Sequence, residues 1–429
     1  MTGALAGIRI IDLTTIVMGP YATQLLAEMG ADVIKVEAKG GDLARQIAPG
    51  RHPGMGAMFL NANRGKRSIC MDLKHPAGRD ALLALIRDAD VLTFNIRPRA
   101  MARLGLSFDE LAAINPRLVY AAMPGFGQDG PYADKPAYDD LIQGAALLPA
   151  LAAQAGDGVP RYVPTALADR VVGVHAMGAI CAALVARGRT GLGQAIEIPM
   201  FETMVGFVLA DHLAGLSFDP PEGEGGYQRL LSRQRRPFPT QDGHVCAVVY
   251  TDDHWRRFLA AIGRADLPAQ DPRFASFASR TAHVDHVYAF LAEVFAQRTT
   301  SAWIALLEQA DVPGMPMHDF ASIARDPHLL ATGYFETVDH PSEGRIRTMR
   351  PATRWSATPA PAPCPAPRLG EHGVAVLREA GLDDQAIAAL IAGGALRVPA
   401  HPNPFVSSEV ETRSAGSLDF ARDERTDTH

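Results

Sequence analysis

The strongest constraint on the fold is an alternation of short β-rich and helical runs near the amino end. Ile8-Arg9-Ile10-Ile11-Asp12-Leu13 is a β-rich run, Pro20 to Met29 has helical spacing with Pro20 placed in a first turn, and Ala31 to Val36 is strand-like again. This is a βαβ unit. The pattern then repeats, with strands expected at Ser68–Leu73, Asp90–Ile96 and Leu118–Met123, and helices at Ala77–Arg87 and Phe108–Ile114. Alternating strands and helices close as a parallel sheet covered by helices on both faces, so the expected class is α/β with a Rossmann-like sheet.

Ligands of such sheets gather beyond the carboxyl ends of the strands. Two turns lie there, Thr14-Thr15-Ile16-Val17-Met18-Gly19-Pro20 and Asn95-Ile96-Arg97-Pro98. The first lacks the Gly-x-Gly-x-x-Gly pattern that brings a backbone against a dinucleotide, which argues against a nicotinamide cofactor. Lys66, Arg67, Lys74, Arg97, Arg99 and Arg103 cluster in sequence around these strand ends. Singly each suits a solvated surface; together they offer the chemistry of a phosphate clamp. Gly125-Phe126-Gly127-Gln128-Asp129-Gly130-Pro131-Tyr132 is a glycine-rich loop after a strand, a pattern that serves turn architecture more often than ligand binding.

The organisation changes near Pro220-Pro221-Glu222-Gly223-Glu224-Gly225-Gly226, a linker or loop signal. Beyond it a strand is expected at Gly243–Val249 and helices at His254–Ile262, Val284–Phe295 and Thr300–Gln309. The expected division is a large domain at 1–220, a small α/β domain at 221–325, a return to the large domain at 326–400 with helices at Val374–Ala380 and Asp384–Ala392, and a polar, aperiodic tail at 401–429 expected to be disordered. Arg229, Arg233, Arg235 and Arg236 either hold a substrate carboxylate or form an exposed basic loop.

A chain of 429 residues with a net charge of −6 has no clustered basic excess of the kind that nucleic-acid and anionic-membrane binders carry. Cys70, Cys181, Cys246 and Cys364 form no Cys-x-x-Cys pair and suggest neither a disulfide framework nor a zinc site. The amino terminus lacks a basic stretch followed by an extended apolar one, and no uninterrupted apolar run reaches the roughly 20 residues of a bilayer span. A cytoplasmic protein is expected.

Asp169 stands out in Val163-Pro164-Thr165-Ala166-Leu167-Ala168-Asp169-Arg170, at the start of a helical run rich in small residues. A carboxylate there caps free N–H groups and suits the positive end of the helix dipole. It also suits a reactive carboxylate held beside a ligand, and the same amides would keep it ionised at neutral pH.

The neighbouring blocks weigh toward the second role. Leu5 and Gly7-Ile8-Arg9-Ile10-Ile11-Asp12-Leu13 with Gly19-Pro20, Gly30-Ala31-Asp32-Val33-Ile34-Lys35-Val36-Glu37, Asn63-Arg64-Gly65-Lys66-Arg67-Ser68, the Gly125–Tyr132 loop, Ala168-Asp169, Arg189-Thr190-Gly191-Leu192-Gly193-Gln194, Asp326-Pro327-His328-Leu329 and Leu369-Gly370-Glu371-His372 occur in one order. From about Leu5 to Leu396 the chain closely resembles the class III CoA-transferases, the CaiB/BaiF or formyl-CoA transferase family. The resemblance implies that Asp169 is the catalytic nucleophile, passing through a mixed anhydride and an aspartyl-CoA thioester. It implies CoA contacts at Val17, Met18, Ala38, Met71, Asp72, Leu73, Lys74, Asn95, Ile96, Arg97, Arg103, Tyr138 and Asp139. It also implies an interlocked homodimer, with coenzyme A entering as acyl-CoA substrate and no metal or permanently bound cofactor. Ala38 departs from a position where a basic residue is frequent, and Arg99 stands as a replacement for that phosphate contact.

Two alternatives follow from the same residues. α-Methylacyl-CoA racemases share the fold but place a histidine before an aspartate where this chain has Tyr138-Asp139; a phenol with an ordinary pKa of about 10 is a poor substitute for that base. A non-catalytic CoA-binding protein of this fold would not need Asp169. The branch that handles oxalate carries a glutamine in the first turn where Val17 stands, which makes oxalate a poor expectation.

Overall fold

The computed structural model describes residues 2–362 and 364–399, and the expected tail at 401–429 lies outside the described residues. Strands β1 (Arg9–Asp12), β2 (Asp32–Glu37), β3 (Lys66–Met71), β4 (Val91–Phe94), β5 (Val119–Ala122) and β6 (Gln194–Glu197) form a parallel sheet in the order β3-β2-β1-β4-β5-β6. Three further strands, β7 (Phe238–Pro239), β8 (His244–Ala247) and β9 (Gly314–Pro316), make a small antiparallel sheet, and β10 (Phe335–His340) pairs with β11 (Gly344–Met349) as a hairpin. The chain then returns, and β12 (Leu396–Arg397) joins the outer edge of β3 antiparallel, Leu396 opposite Met71.

Adjacent residues on each central strand serve opposite faces, as the twofold pleat requires. Ile11, Ile34 and Leu92 meet Leu82, Leu85 and Ile86 of the Pro76–Arg87 helix, with Val376, Leu377, Ile387 and Leu390 from the returning segment. Their neighbours Ile10, Val33 and Val91 meet Leu26 of the first helix, Met18–Glu28, and Ile180 and Ala183 of the long helix, Leu167–Thr190. Burial on both faces explains why these strands read as continuous apolar runs. A separate cluster, built on Trp255, Phe258, Phe274, Phe295 and Trp303, gathers the elements between Phe238 and Val312.

The helices expected at Phe108–Ile114, Val284–Phe295, Thr300–Gln309 and Asp384–Ala392 stand at those boundaries. β3 begins earlier than expected, at Lys66, whose backbone pairs with Val33 of β2 while its side chain runs into the interior to Asp12. The long helix differs from the membrane argument made above: by length and mean hydropathy of 1.6 it matches a bilayer-spanning segment. Here Val172, Ala176, Ile180 and Ala183 pack into the core beside the sheet. Gly173 permits its close crossing with the first helix, since a Cβ there would lie 2.8 Å from the Met18 carbonyl oxygen.

Candidate active site

In the strand order, β1 and β4 are the neighbours at which the sheet reverses direction of growth, the place where open α/β sheets leave a crevice. The floor of that crevice is ionic and fully buried. Asp12, at the end of β1, accepts from the Thr14 N–H (2.9 Å), the Thr14 and Thr23 hydroxyls and Lys66 Nζ (3.0 Å). Lys66 also donates to Pro20 O and Asn63 Oδ1, so each of its protons has an acceptor. Lys35 lies beside them, donating to Thr14 O (2.7 Å) and pairing with Asp42 (2.9 Å). Burial alone would raise the Asp12 pKa, but Lys66, Lys35 and the two hydroxyls outweigh it and hold it at about 2. Burial and the Lys35 charge draw Lys66 down to about 8 against the pull of Asp12, which leaves it charged at neutral pH.

This floor fixes the first βα turn. The Thr15 N–H donates to Asn95 Oδ1 (3.1 Å), Asn95 Nδ2 donates back to Thr15 O (3.0 Å), and the Ile16 N–H donates to Asp42 Oδ1 (3.0 Å). Ile16 sits at φ +73°, a left-handed conformation unusual for a β-branched residue, so these partners over-determine a strained position.

Above the turn lies a cleft of about 300 Å³, lined from β1 by Thr15, Ile16 and Met18, from β4 by Asn95, Arg97 and Pro98, from β5 by Met123 to Gly125, and by Lys135, Tyr138, Asp139, Asp169 and Met200. Gly125 is required where it stands, because a Cβ would come within 2.2 Å of the Ala137 methyl. Its wall is therefore mixed: three methionines, Ile16 and Leu43 are apolar, two carboxylates lie to one side, and Arg97 and Lys135 have no ion-pair partner among the described residues.

Asp169 occupies the third position of the long helix, which Ala166 precedes without a side-chain cap. Contrary to the capping expectation, its carboxylate makes no hydrogen bond among the described residues; instead its own N–H donates to Asp139 Oδ1 (3.0 Å). Nor do the helix amides keep it fully ionised. Burial first, then the neighbouring Asp139 charge, push its pKa up to about 7, with Arg170 pulling weakly the other way. Arg170 is turned aside, its guanidinium over the Tyr21 ring at 4.4 Å.

The expected contact residues divide. Met18, Asn95, Arg97, Tyr138, Asp139 and Asp169 meet at the cleft. Val17 is buried at the start of the first helix, and Met71, Leu73 and Ile96 direct their side chains into the core, leaving only backbone for a ligand. Asp72 and Lys74 lie at the carboxyl end of β3, along the same sheet edge but two strands from β1; Asp72 is paired with Lys39 (3.2 Å), next to Ala38. Arg103 is exposed at the end of the Pro98–Arg103 helix.

The proposed basic clamp is corrected. Lys66 is buried on Asp12, and Arg67, next to it at the amino end of β3, is held by Asp32 (2.6 Å) and Glu379 (2.8 Å), so neither joins Arg97. Arg99 is paired with Asp134 (2.6 Å), both exposed. The glycine-rich loop does not offer an anion cradle through Gly127 and Gln128, because their N–H groups donate to Glu202 (2.9 Å) and Glu197 (3.0 Å). Arg229 lies over Tyr250 at 5.1 Å, away from the cleft lining. Sequence reasoning placed Ile16 only within the ligand-side turn, and missed Leu43, Lys135 and Met200 as cleft residues. Only Lys135 had a signal, a lone cation between the glycine-rich loop and Pro136.

The family model for CoA-transferase family III matches residues 5–373. An acyl-CoA transferase of Fusarium pseudograminearum is 34% identical over 90% of this chain and 87% of its own length. A succinate–glutarate CoA-transferase of Agrobacterium fabrum is 34% identical over 87% of this chain and 95% of its own length. The crystal structure of a CAIB/BAIF family protein from Brucella suis superposes with a TM-score of 0.74 at 31% identity, covering 89% of this chain and 100% of that one.

Proposed function

The chain belongs to CoA-transferase family III, whose substrates are acyl-CoA thioesters and carboxylates, and from that premise we propose that it moves CoA from an acyl-CoA donor to a free carboxylic acid by covalent catalysis on Asp169. The observation that carries this is the setting of Asp169: a carboxylate in the switch-point cleft with no hydrogen-bond or ion-pair partner among the described residues, free of the capping bonds that would occupy its oxygens.

In the proposed sequence an Asp169 oxygen attacks the thioester carbonyl carbon and CoA leaves as thiolate, giving a mixed anhydride. The thiolate then attacks the Asp169 carbonyl, releasing the donor acid as carboxylate and leaving an aspartyl-CoA thioester. The acceptor carboxylate repeats the two steps in reverse and takes the CoA, restoring Asp169. Each step exchanges one anion for another, so no proton is transferred overall. What the site must supply is an ionised Asp169 and exclusion of water from the anhydride. A pKa near 7 makes the ionised carboxylate a stronger nucleophile than an ordinary one, while leaving about half of it ionised at neutral pH.

The expected CoA contacts remain part of the proposal, with Arg97 and Lys135 as phosphate or carboxylate partners and the backbone of Met71 to Lys74 farther along the edge. The methionine-lined wall favours an acid with an apolar body over oxalate. We also place the second subunit of a homodimer on the apolar surface of the long helix, where Val174 and Val185 are 47% and 59% exposed. The division into domains at 1–220, 221–325 and 326–400, and a cytoplasmic location, complete the proposal. Racemase chemistry is disfavoured because no histidine lines the cleft among the described residues.

The test is chemical trapping. Incubation with an acyl-CoA and then hydroxylamine converts Asp169 to its hydroxamate, read by peptide mass, and the label is absent in Asp169→Ala. Equal CoA transfer by wild type and Asp169→Ala would overturn the mechanism. Solvent-deuterium uptake at the α-carbon without an acceptor acid would favour the racemase.

A further inference from the structure

One buried polar side chain beside the cleft has no place in the mechanism above. Gln143 is 0% exposed and does not line the cleft. It lies one helical turn after Asp139 on the Asp139–Ala145 helix, on the same face. Its Nε2 donates to Asp139 Oδ2 at 2.6 Å and reaches Thr165 O at 3.3 Å, and its Oε1 accepts from the Val163 N–H at 2.9 Å. One carboxamide thus joins the Asp139 carboxylate to the loop that leads into the long helix. Asp139 in turn spends its other oxygen on the Asp169 N–H. A buried amide leaves its groups costly to strand, so removing it leaves Asp139 Oδ2 and the Val163 N–H without these partners.

We propose that Gln143 is a positioning residue for Asp169: one side of its carboxamide holds Asp139 against the Asp169 backbone and the other anchors the Val163–Thr165 loop, fixing how the Asp169 carboxylate meets the cleft. The inference rests on the assignment of Asp169 as the reacting group. Gln143 acts through Asp139 and touches no substrate. Without it the Asp139 carboxylate is free to swing toward solvent, and the loop at the helix start loosens and admits water. Both changes favour the ionised form of Asp169. The charged and titratable groups around Asp169 are Asp139 from the neighbouring helix and Arg170 from its own helix, with Tyr138, Arg97 and Lys135 lining the same cleft. Of these, only Asp139 is bonded to Gln143.

The experiment follows the Asp169 carboxyl carbon by NMR in protein labelled with ¹³C at aspartate Cγ, the signal assigned by its loss in Asp169→Asn. Wild type, Gln143→Leu, Gln143→Glu, Asp139→Asn and the Asp139→Asn/Gln143→Leu double variant are titrated. We expect Gln143→Leu to lower the Asp169 midpoint by about one pH unit, and to lower it by less than a third of a unit further once Asp139 is already Asn. Gln143→Glu, buried beside Asp139, either stays protonated and donates one bond to Asp139 or adds a second negative charge there, so it is not expected to lower the Asp169 midpoint as Gln143→Leu does. In the transfer assay Gln143→Leu should lower kcat about tenfold with less than a threefold change in KM for the acyl-CoA. An unchanged midpoint in Gln143→Leu, or equal shifts with and without Asp139, would overturn the inference. A normal NMR result in a protein that transfers no CoA would instead overturn the assigned function.

Discussion

Two carboxylates, the fully buried Asp12 and the half-buried Asp169, lie under and beside the same cleft and are driven in opposite directions. Asp12 is wholly enclosed and still strongly acidic, because two lysines, two hydroxyls and a backbone N–H converge on it. Asp169 is less enclosed and yet its pKa is pushed up to about 7, by burial first and then by the Asp139 carboxylate, while Arg170, turned onto Tyr21, offsets little of it. Burial alone therefore does not set the charge state; the partners do. The comparison also separates their work. The Asp12 network braces the turn that forms the cleft, whereas Asp169 has oxygens left for a substrate.

The largest effect should come from removing the unpartnered carboxylate. Asp169→Asn keeps the shape of the site and deletes the nucleophile, so CoA transfer should fall by about a thousandfold or more while the far-ultraviolet circular dichroism is unchanged. The opposite is expected at Asp12. Asp12→Ala strands Lys66 in the interior, which should reduce unfolding free energy by about 3–5 kcal/mol in urea melts. The paired replacement Asp12→Leu with Lys66→Met should recover most of that stability, because an apolar pair fills the site without a buried charge. If Asp12→Ala melted like wild type, the ionic floor would not be bracing the turn that forms the cleft.

The alternation of strands and helices was legible because both faces of the sheet are buried, so that β-branched runs such as Ile10-Ile11 and Val33-Ile34 mark strands directly. The site was legible at Asn95, Arg97, Tyr138, Asp139 and Asp169, which occupy strand ends or helix starts. The fate of the basic cluster was not. Lys66 and Arg67 neighbour each other in sequence, but one points into the interior and the other to an Asp32–Glu379 pair, a distinction that depends on strand register. The strained φ of Ile16 and the approach of Met200 from a distant helix start were invisible for a related reason. The ionisation of Asp169 was misread because the dipole argument counted the helix amides but not the carboxylate that already held the Asp169 N–H.

A smaller effect sharpens the contrast from the side of Asp139. Replacing it by Asn removes the second-largest cause of the raised Asp169 pKa and leaves the larger one, burial, in place. The Asp169 pKa should then fall by about one unit, and with it the acid limb of the pH profile for kcat/KM of the free enzyme, since only ionised Asp169 attacks. Activity at pH 6 relative to pH 8 should rise in the variant. A limb that stayed at its wild-type position would mean that burial alone sets the titration.

The smallest expected effect is on stability, and its sign follows from proton linkage. An unfolded chain releases the Asp169 proton near 3.8 while the folded protein keeps it until about 7, so between these values the folded state binds more protons and loses stability as pH rises. Asp169→Asn escapes that loss. Its stability relative to wild type should therefore grow from about pH 4 to pH 7 and stay level above, reaching on the order of 1–2 kcal/mol after allowing for solvent at the cleft. Asp12 behaves in the reverse sense: its pKa is depressed from 3.8 to about 2, so its contribution is present above pH 4 and disappears only as pH falls through 2. Urea melts of wild type and Asp169→Asn at pH 5, 7 and 8.5 measure the difference. A constant gap across that range would show that Asp169 titrates as an ordinary surface carboxylate and is not held protonated by its surroundings.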